Sequence, residues 1–177
     1  MNVVITRAET EADIKVVAAL AQEIWTQHFT PIIGAAQVDY MLTQFQSVGA
    51  ITSQIAADWE YYLLRSDGEW AGYTGLIPDR ENNRMMISKI YLRDQERGKG
   101  LGKAILEFIE DRSIRDGYAT LWLTVNRHNN GPIAWYKHRG FKIVDEVKKD
   151  IGNGFCMDDF IMEKRILPFP DLRPQPF

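Results

Sequence analysis

Three glycines at alternate positions, Gly98, Gly100 and Gly102, interrupt residues 88–116 between two apolar stretches. Ile87, Ile90, Tyr91 and Leu92 precede them and read as a buried strand. Ile105, Leu106, Phe108 and Ile109 follow at helical spacing. A strand entering a helix through such a turn makes an anion site. Unpaired backbone N–H groups point outward there, and the helix dipole favours negative charge. Glycine lets a ligand approach the backbone where a Cβ would block it. Two familiar anions fail on spacing. The ATP-binding pattern G-x-x-x-x-G-K-[ST] has Arg97 in place of its first glycine and Ala104 in place of its hydroxyl. The dinucleotide pattern G-x-G-x-x-G would put its last glycine on Lys103 or Ile105. The pattern that fits is Q-x-x-G-x-G at Gln95, Gly98 and Gly100, with Gly102 beyond.

The elements that must position this turn can be read in order. Residues 3–5 form a first strand. Thr10 is an N-cap for a helix with Ile14, Val17, Leu20, Ala21 and Ile24 inward, which Pro31 is expected to break within residues 28–34. A second helix covers 35–46, with a short helical piece over 49–57. Strands at 59–64 and 70–77 flank the hairpin signal Asp67-Gly68, and a central strand spans 84–92. The helix after the turn runs to about Asp116, where Gly117 caps it. A strand at 119–125, a helix from Pro132 to Arg139, and a hairpin of 141–147 with 156–166 complete the order. The fold class is α/β (α+β): a mixed, mostly antiparallel sheet of about seven strands flanked by about four helices. The chain reads as one domain over 1–166, followed by a proline-rich tail over 167–177.

Composition bounds the task. The 177 residues are 45% hydrophobic and 25% charged, ordinary for a globular chain with a real core. No apolar run approaches membrane-spanning length, and no signal pattern opens the chain, so a cytoplasmic location is expected without a membrane partner. Cys156 stands alone, and three scattered histidines form no metal cluster; His28, His128 and His138 are given no catalytic task. Residues 1–89 hold 11 acidic and 6 basic side chains, and residues 90–177 hold 13 and 15. Neither half is basic enough for nucleic acid to be the main partner. The half with the glycine turn meets an anion with less repulsion, and the acidic half tolerates a cationic amine.

The glycine turn resembles the pyrophosphate loop of the GNAT superfamily of N-acetyltransferases. A second segment, residues 125–141, reads V-N-R-H-N-N-G-P-I-A-W-Y-K-H-R-G-F and resembles the family in Asn129, Ile133-Ala134, Tyr136 and Gly140-Phe141. The resemblance covers residues 87–166; the first 85 match only in element order. It implies splayed parallel central strands and acetyl-CoA as acetyl donor, with no metal. Arg97, Gly98, Lys99, Gly100, Leu101, Gly102 and Lys103 would hold the pyrophosphate. Backbone groups of Ile90, Tyr91 and Leu92 would pair with the pantetheine arm, and Asn129 would bond its amides. Tyr136 would lie near the thioester sulfur and protonate the leaving thiolate. Direct transfer to a primary amine follows, without a covalent enzyme. Many family members carry a carboxylate on the central strand, where this chain has Met86, Ile87 and Ser88. A water chain or Glu23 is left as base. The stretches I-W-T-Q-H-F-T and D-Y-M-L, with Tyr61-Tyr62-Leu63-Leu64 and residues 157–162, look like the bacterial polyamine (spermidine/spermine) branch. Asp39, Asp158 and Asp159 would suit a polycation. Another small-molecule amine, or a protein N-terminal amine, is the alternative acceptor. A CoA-binding sensor without transfer is the alternative of another class. A homodimer is expected from the family alone.

Overall fold

The computed structural model describes residues 1–167, so most of the proline-rich tail lies outside the described residues. Seven strands form one sheet in the order β1-β2-β3-β4-β5-β7-β6. They are β1 (Val3–Arg7), β2 (Glu60–Ser66), β3 (Glu69–Asp79), β4 (Arg84–Leu92), β5 (Thr120–Asn126), β6 (Lys142–Gly152) and β7 (Phe155–Arg165). All neighbours are antiparallel except β4 and β5. Five α-helices, one more than expected, cover the faces: α1 (Glu11–Ile33), α2 (Ala35–Phe45), α3 (Val48–Ala56), α4 (Leu101–Arg115) and α5 (Asn130–His138). The extra helix is the short piece after Ser47, whose side chain accepts from the Ala50 amide and so supplies a proper cap.

Two apolar clusters sandwich the sheet. One packs Leu101, Ile105, Leu106 and Ile109 of α4, with Ile133 and Tyr136 of α5, against Met85, Ile87, Leu121 and Leu123. The other packs Val17, Leu20, Ile24 and Trp25 of α1, with Val38, Leu42 and Ile51, against Tyr61, Leu63 and Tyr73. A buried polar chain ties the second face together. Trp25 donates to the Tyr73 hydroxyl, Tyr73 donates to Gln46, and Tyr61 donates to Gln54. Buried polar groups are tolerated when bonded in this way, and the chain fixes α2 and α3 relative to β2 and β3.

Three departures from the sequence reading shape the cavity described next. Helix α1 does not break at Pro31 but runs through it to Ile33. Pro31 lies in the last turn, so only one intrahelical bond is lost. Phe29 recovers packing by meeting Trp25 and Tyr91 edge-on, at 5.3 and 5.8 Å between ring centroids. Gly34, at φ 86°, then ends the helix in a conformation natural to glycine. Strand β6 continues to Gly152 because Lys148, Lys149 and Asp150 pair with Asp158, Met157 and Cys156. Ladder pairing overrides the polar sequence there. Finally, Gly75 pairs with Lys89 while Leu76 pairs with Ile87, leaving Ser88 as a bulge in β4. The bulge resets the alternation: Met85 and Ile87 pack towards α4, whereas Tyr91 packs towards α1.

Candidate functional site

The parallel ladder between β4 and β5 is short. It pairs Arg84 with Thr120, Met85 with Leu121 and Met86 with Trp122. Beyond Met86 the strands part, and a cavity of about 830 Å³ opens between them. Met86 to Leu92 line one wall and Leu123 to Asn126 the other. The β4 backbone past the bulge is paired with β3 on one side only, so its other edge faces the cavity.

The glycine turn forms one end. Gly98 and Gly100 have φ of 75° and 83°, and open space lies where a Cβ would stand on either. No side chain caps α4, so the first-turn amides of Leu101, Gly102 and Lys103 have no intrahelical acceptor. Gly102 has a different reason: a Cβ there would stand 3.2 Å from the Trp135 ring, so glycine lets α5 approach the start of α4. Arg97, Gly98, Gly100, Leu101, Gly102, Lys103 and Arg139 line this end. Lys99 does not line it; its ammonium sits 3.1 Å from Glu96. Arg97 also meets Asp94 at 3.1 Å, and Lys103 meets Glu107 at 3.5 Å, both in exposed local pairs of little strength.

Tyr136 and Asn129 reach the cavity from the far side of the splay, and both are buried. Trp135 and Phe141 clamp the Tyr136 ring edge-on at 5.0 and 5.3 Å. Burial pushes the Tyr136 phenol well above its ordinary range, so it keeps its proton at neutral pH. Asn129 is held by a residue that the sequence reading left without a task. His28 Nε2 donates to Asn129 Oδ1 at 3.1 Å, and Arg97 approaches His28 Nδ1 at 3.4 Å. Burial, then the Arg97 charge, lower the His28 pKa, which keeps the ring neutral with one donor and one acceptor nitrogen. This chain connects the glycine turn to the start of α5 through α1. A histidine one turn before Pro31 gave no sign of it, because the expected helix break would have turned it away.

The opposite end is walled by α1, α2 and the β6–β7 hairpin. Gln37 of α2 donates to the Cys156 carbonyl at 3.0 Å, and Tyr40 donates to the Ile151 carbonyl at 2.8 Å. These bonds clasp the helix to the hairpin over an apolar lining that includes Ile33, Met41, Phe45, Trp59 and Met157. Three charged groups enter it: Lys89, Lys149 and Asp159. Asp159 is 4% exposed, and Thr124 bonds its carboxyl. Burial, with the neighbouring Asp158 charge adding to it, raises the Asp159 pKa to about 6. Glu23 is elsewhere, bound to Arg93 at 2.9 Å and outside the cavity lining. Asp158 pairs with Arg127 at 2.7 Å, and Asp39 lines a separate small groove.

The model of the acetyltransferase (GNAT) family matches residues 19–141. The chain belongs to that family. This GNAT acetyltransferase is 28% identical over 165 residues to an uncharacterized N-acetyltransferase of Lactobacillus delbrueckii subsp. lactis, covering 89% of this chain and 95% of that one. It is 25% identical over 132 residues to the L-methionine sulfoximine/L-methionine sulfone acetyltransferase of Pseudomonas aeruginosa, covering 75% and 72%. Among solved structures, the fold matches the PaiA N-acetyltransferase from Thermoplasma acidophilum in complex with coenzyme A, with TM-score 0.77, 22% identity and 93% and 99% coverage. The ribosomal-protein-S18-alanine N-acetyltransferase from Escherichia coli matches with TM-score 0.73, 20% identity and 98% and 100% coverage. The chain is an N-acetyltransferase on a GNAT fold.

Proposed function

We propose that the protein moves an acetyl group from acetyl-CoA directly to the primary amine of a small molecule. The observation that carries this reading is one continuous cavity with an uncapped glycine-rich helix start at one end and a buried carboxylate and phenol beyond it. The turn fits a pyrophosphate: its glycines leave open space, and the first-turn amides of α4 have no intrahelical acceptor. Arg97, Gly98, Gly100, Leu101, Gly102 and Lys103 would hold that group, with the cations adding charge-assisted bonds. The free edge of β4 at Ile90, Tyr91 and Leu92 suits the amides of a pantetheine arm, and the Asn129 amide faces them across the splay. Bound acetyl-CoA supplies the activated acyl group.

The protein's own groups then handle two protons. The Asp159 carboxylate is ionised above about pH 6 and accepts one from the acceptor amine. The Tyr136 phenol is protonated and gives one to the departing sulfur. Of the two bases left open, Glu23 is committed to Arg93, and Asp159 on the cavity wall is the carboxylate that serves instead of it.

The α2–hairpin clasp favours a small acceptor over a folded protein N-terminus. A polycation is less well served: Asp159 is joined by Lys89 and Lys149, and the other two expected acids face elsewhere. The Pseudomonas aeruginosa relative, named for a small amine, supports the same choice. Tyr136→Phe tests the reading. Turnover is expected to fall by roughly 10²–10⁴-fold with CoA affinity nearly unchanged; a collapse of CoA affinity instead would remove the acid role.

A further inference from the structure

Arg139 has no task in acetyl transfer as derived above. It stands at the C-terminal end of α5 and lines the same cavity as the glycine turn. One ring fixes its distance from that turn. The Arg139 Cζ lies 5.6 Å from the Trp135 ring centroid. The same indole meets the start of α4, where a Cβ on Gly102 would stand 3.2 Å from Trp135 Cζ2. Arg139 and the first turn of α4 are therefore neighbours across the width of one indole. Its charge is also in a different state from the other cations there. Arg97 meets Asp94, and Lys103 meets Glu107. Among the described residues no carboxylate meets Arg139, and its Nε–H is buried without an acceptor. A buried donor without a partner is costly. Packing on Trp135, not a counter-charge, holds the guanidinium in place. Its planar fork of donors matches the oxygens of a phosphate.

We propose that Arg139 binds the phosphate on the ribose of CoA, so that the protein prefers CoA to the same molecule without that phosphate. The proposal rests on the acetyl-CoA reading, which seats the pyrophosphate on the amides of the glycine turn. In CoA one ribose separates the pyrophosphate from the ribose phosphate. In the protein one indole separates the turn from Arg139, and the sugar would lie along it. A phosphate monoester carries roughly two negative charges at neutral pH. A cation whose charge is not already offset by a carboxylate answers it best, and Arg139 is the cation of this kind at that end.

Calorimetric titration of the full chain with CoA and with dephospho-CoA tests this without turnover. The wild type should bind CoA at least about ten-fold tighter, the scale of one charged hydrogen-bonded contact. Arg139→Met keeps an apolar stem on Trp135 and removes the charge. In that variant the ratio should fall to about one, with the whole loss on CoA. Unchanged affinity for dephospho-CoA then shows that the variant is folded. Arg139→Lys should keep part of the preference, because an ammonium still pairs with phosphate as a point charge. Arg97→Met should weaken both ligands alike, since both carry the pyrophosphate. Equal affinity of the wild type for the two ligands, an unchanged ratio in Arg139→Met, or an equal loss on both ligands in that variant would overturn the proposal and leave the acetyl-CoA reading standing. Binding of neither ligand to the wild type would overturn both.

Discussion

Tyr136 and Asp159 face one cavity with opposite protonation needs, and burial drives both the same way. For the phenol, a raised pKa keeps the acid form. For the carboxyl, a value of about 6 places the proposed base near neutrality, where a proton acceptor works best. Activity should therefore fall as pH drops below about 6, and Asp159→Asn should lower turnover by roughly 10²-fold or more. A pH–rate profile unchanged in Asp159→Asn would exclude it as base. Stability runs the other way. Because the folded pKa lies above the ordinary carboxylate value, the stability from this group is present at acid pH and lost as pH rises through about 6. Asp159→Asn should accordingly raise the melting temperature at pH 8 more than at pH 4. At this scale the sequence was half legible. Tyr136 and Asn129 sit in a local pattern, whereas the role proposed for Asp159 comes from its burial. An acid at an inward position of β7 was the available signal.

Strand, turn and helix at 84–115 were legible almost to the residue, because hydrophobic spacing and glycine are local signals. The Ser88 bulge was not, since it exists only in the register between β3 and β4. The continuation of α1 past Pro31 was also hidden, because the offsetting contacts come from Trp25 and Tyr91. The cradle makes a prediction for the α4 start. Gly100→Glu puts a side chain and a negative charge at φ 83° in the open space, and should abolish CoA binding; retained binding in a calorimetric titration would refute the assignment of the turn. The α1 start makes another. Thr10 and Asp13 form a reciprocal cap with bonds of 3.1 and 2.9 Å. Thr10→Ala should cost about 1 kcal/mol in urea unfolding.

Among the described residues the fold is a sheet that splits at its one parallel pair, with the proposed donor and acceptor ends on one cavity. Element order predicted the parallel pairing, since a strand–helix–strand crossover sets β4 and β5 side by side, whereas the split was implied by the family resemblance. The closure of the acceptor end was not predictable, because it depends on β6 running past its apolar residues to meet Tyr40. Among the described residues no helix is long and apolar enough to cross a membrane. Thiol release from acetyl-CoA across a panel of amino acids, their amides, polyamines and peptide N-termini, with mass spectrometry of the products, tests the central claim most directly. Release with at least one small amine, and a mass gain of one acetyl group on that amine, is expected. Tight CoA binding with no release on any amine would contradict it and make the protein a CoA-binding sensor.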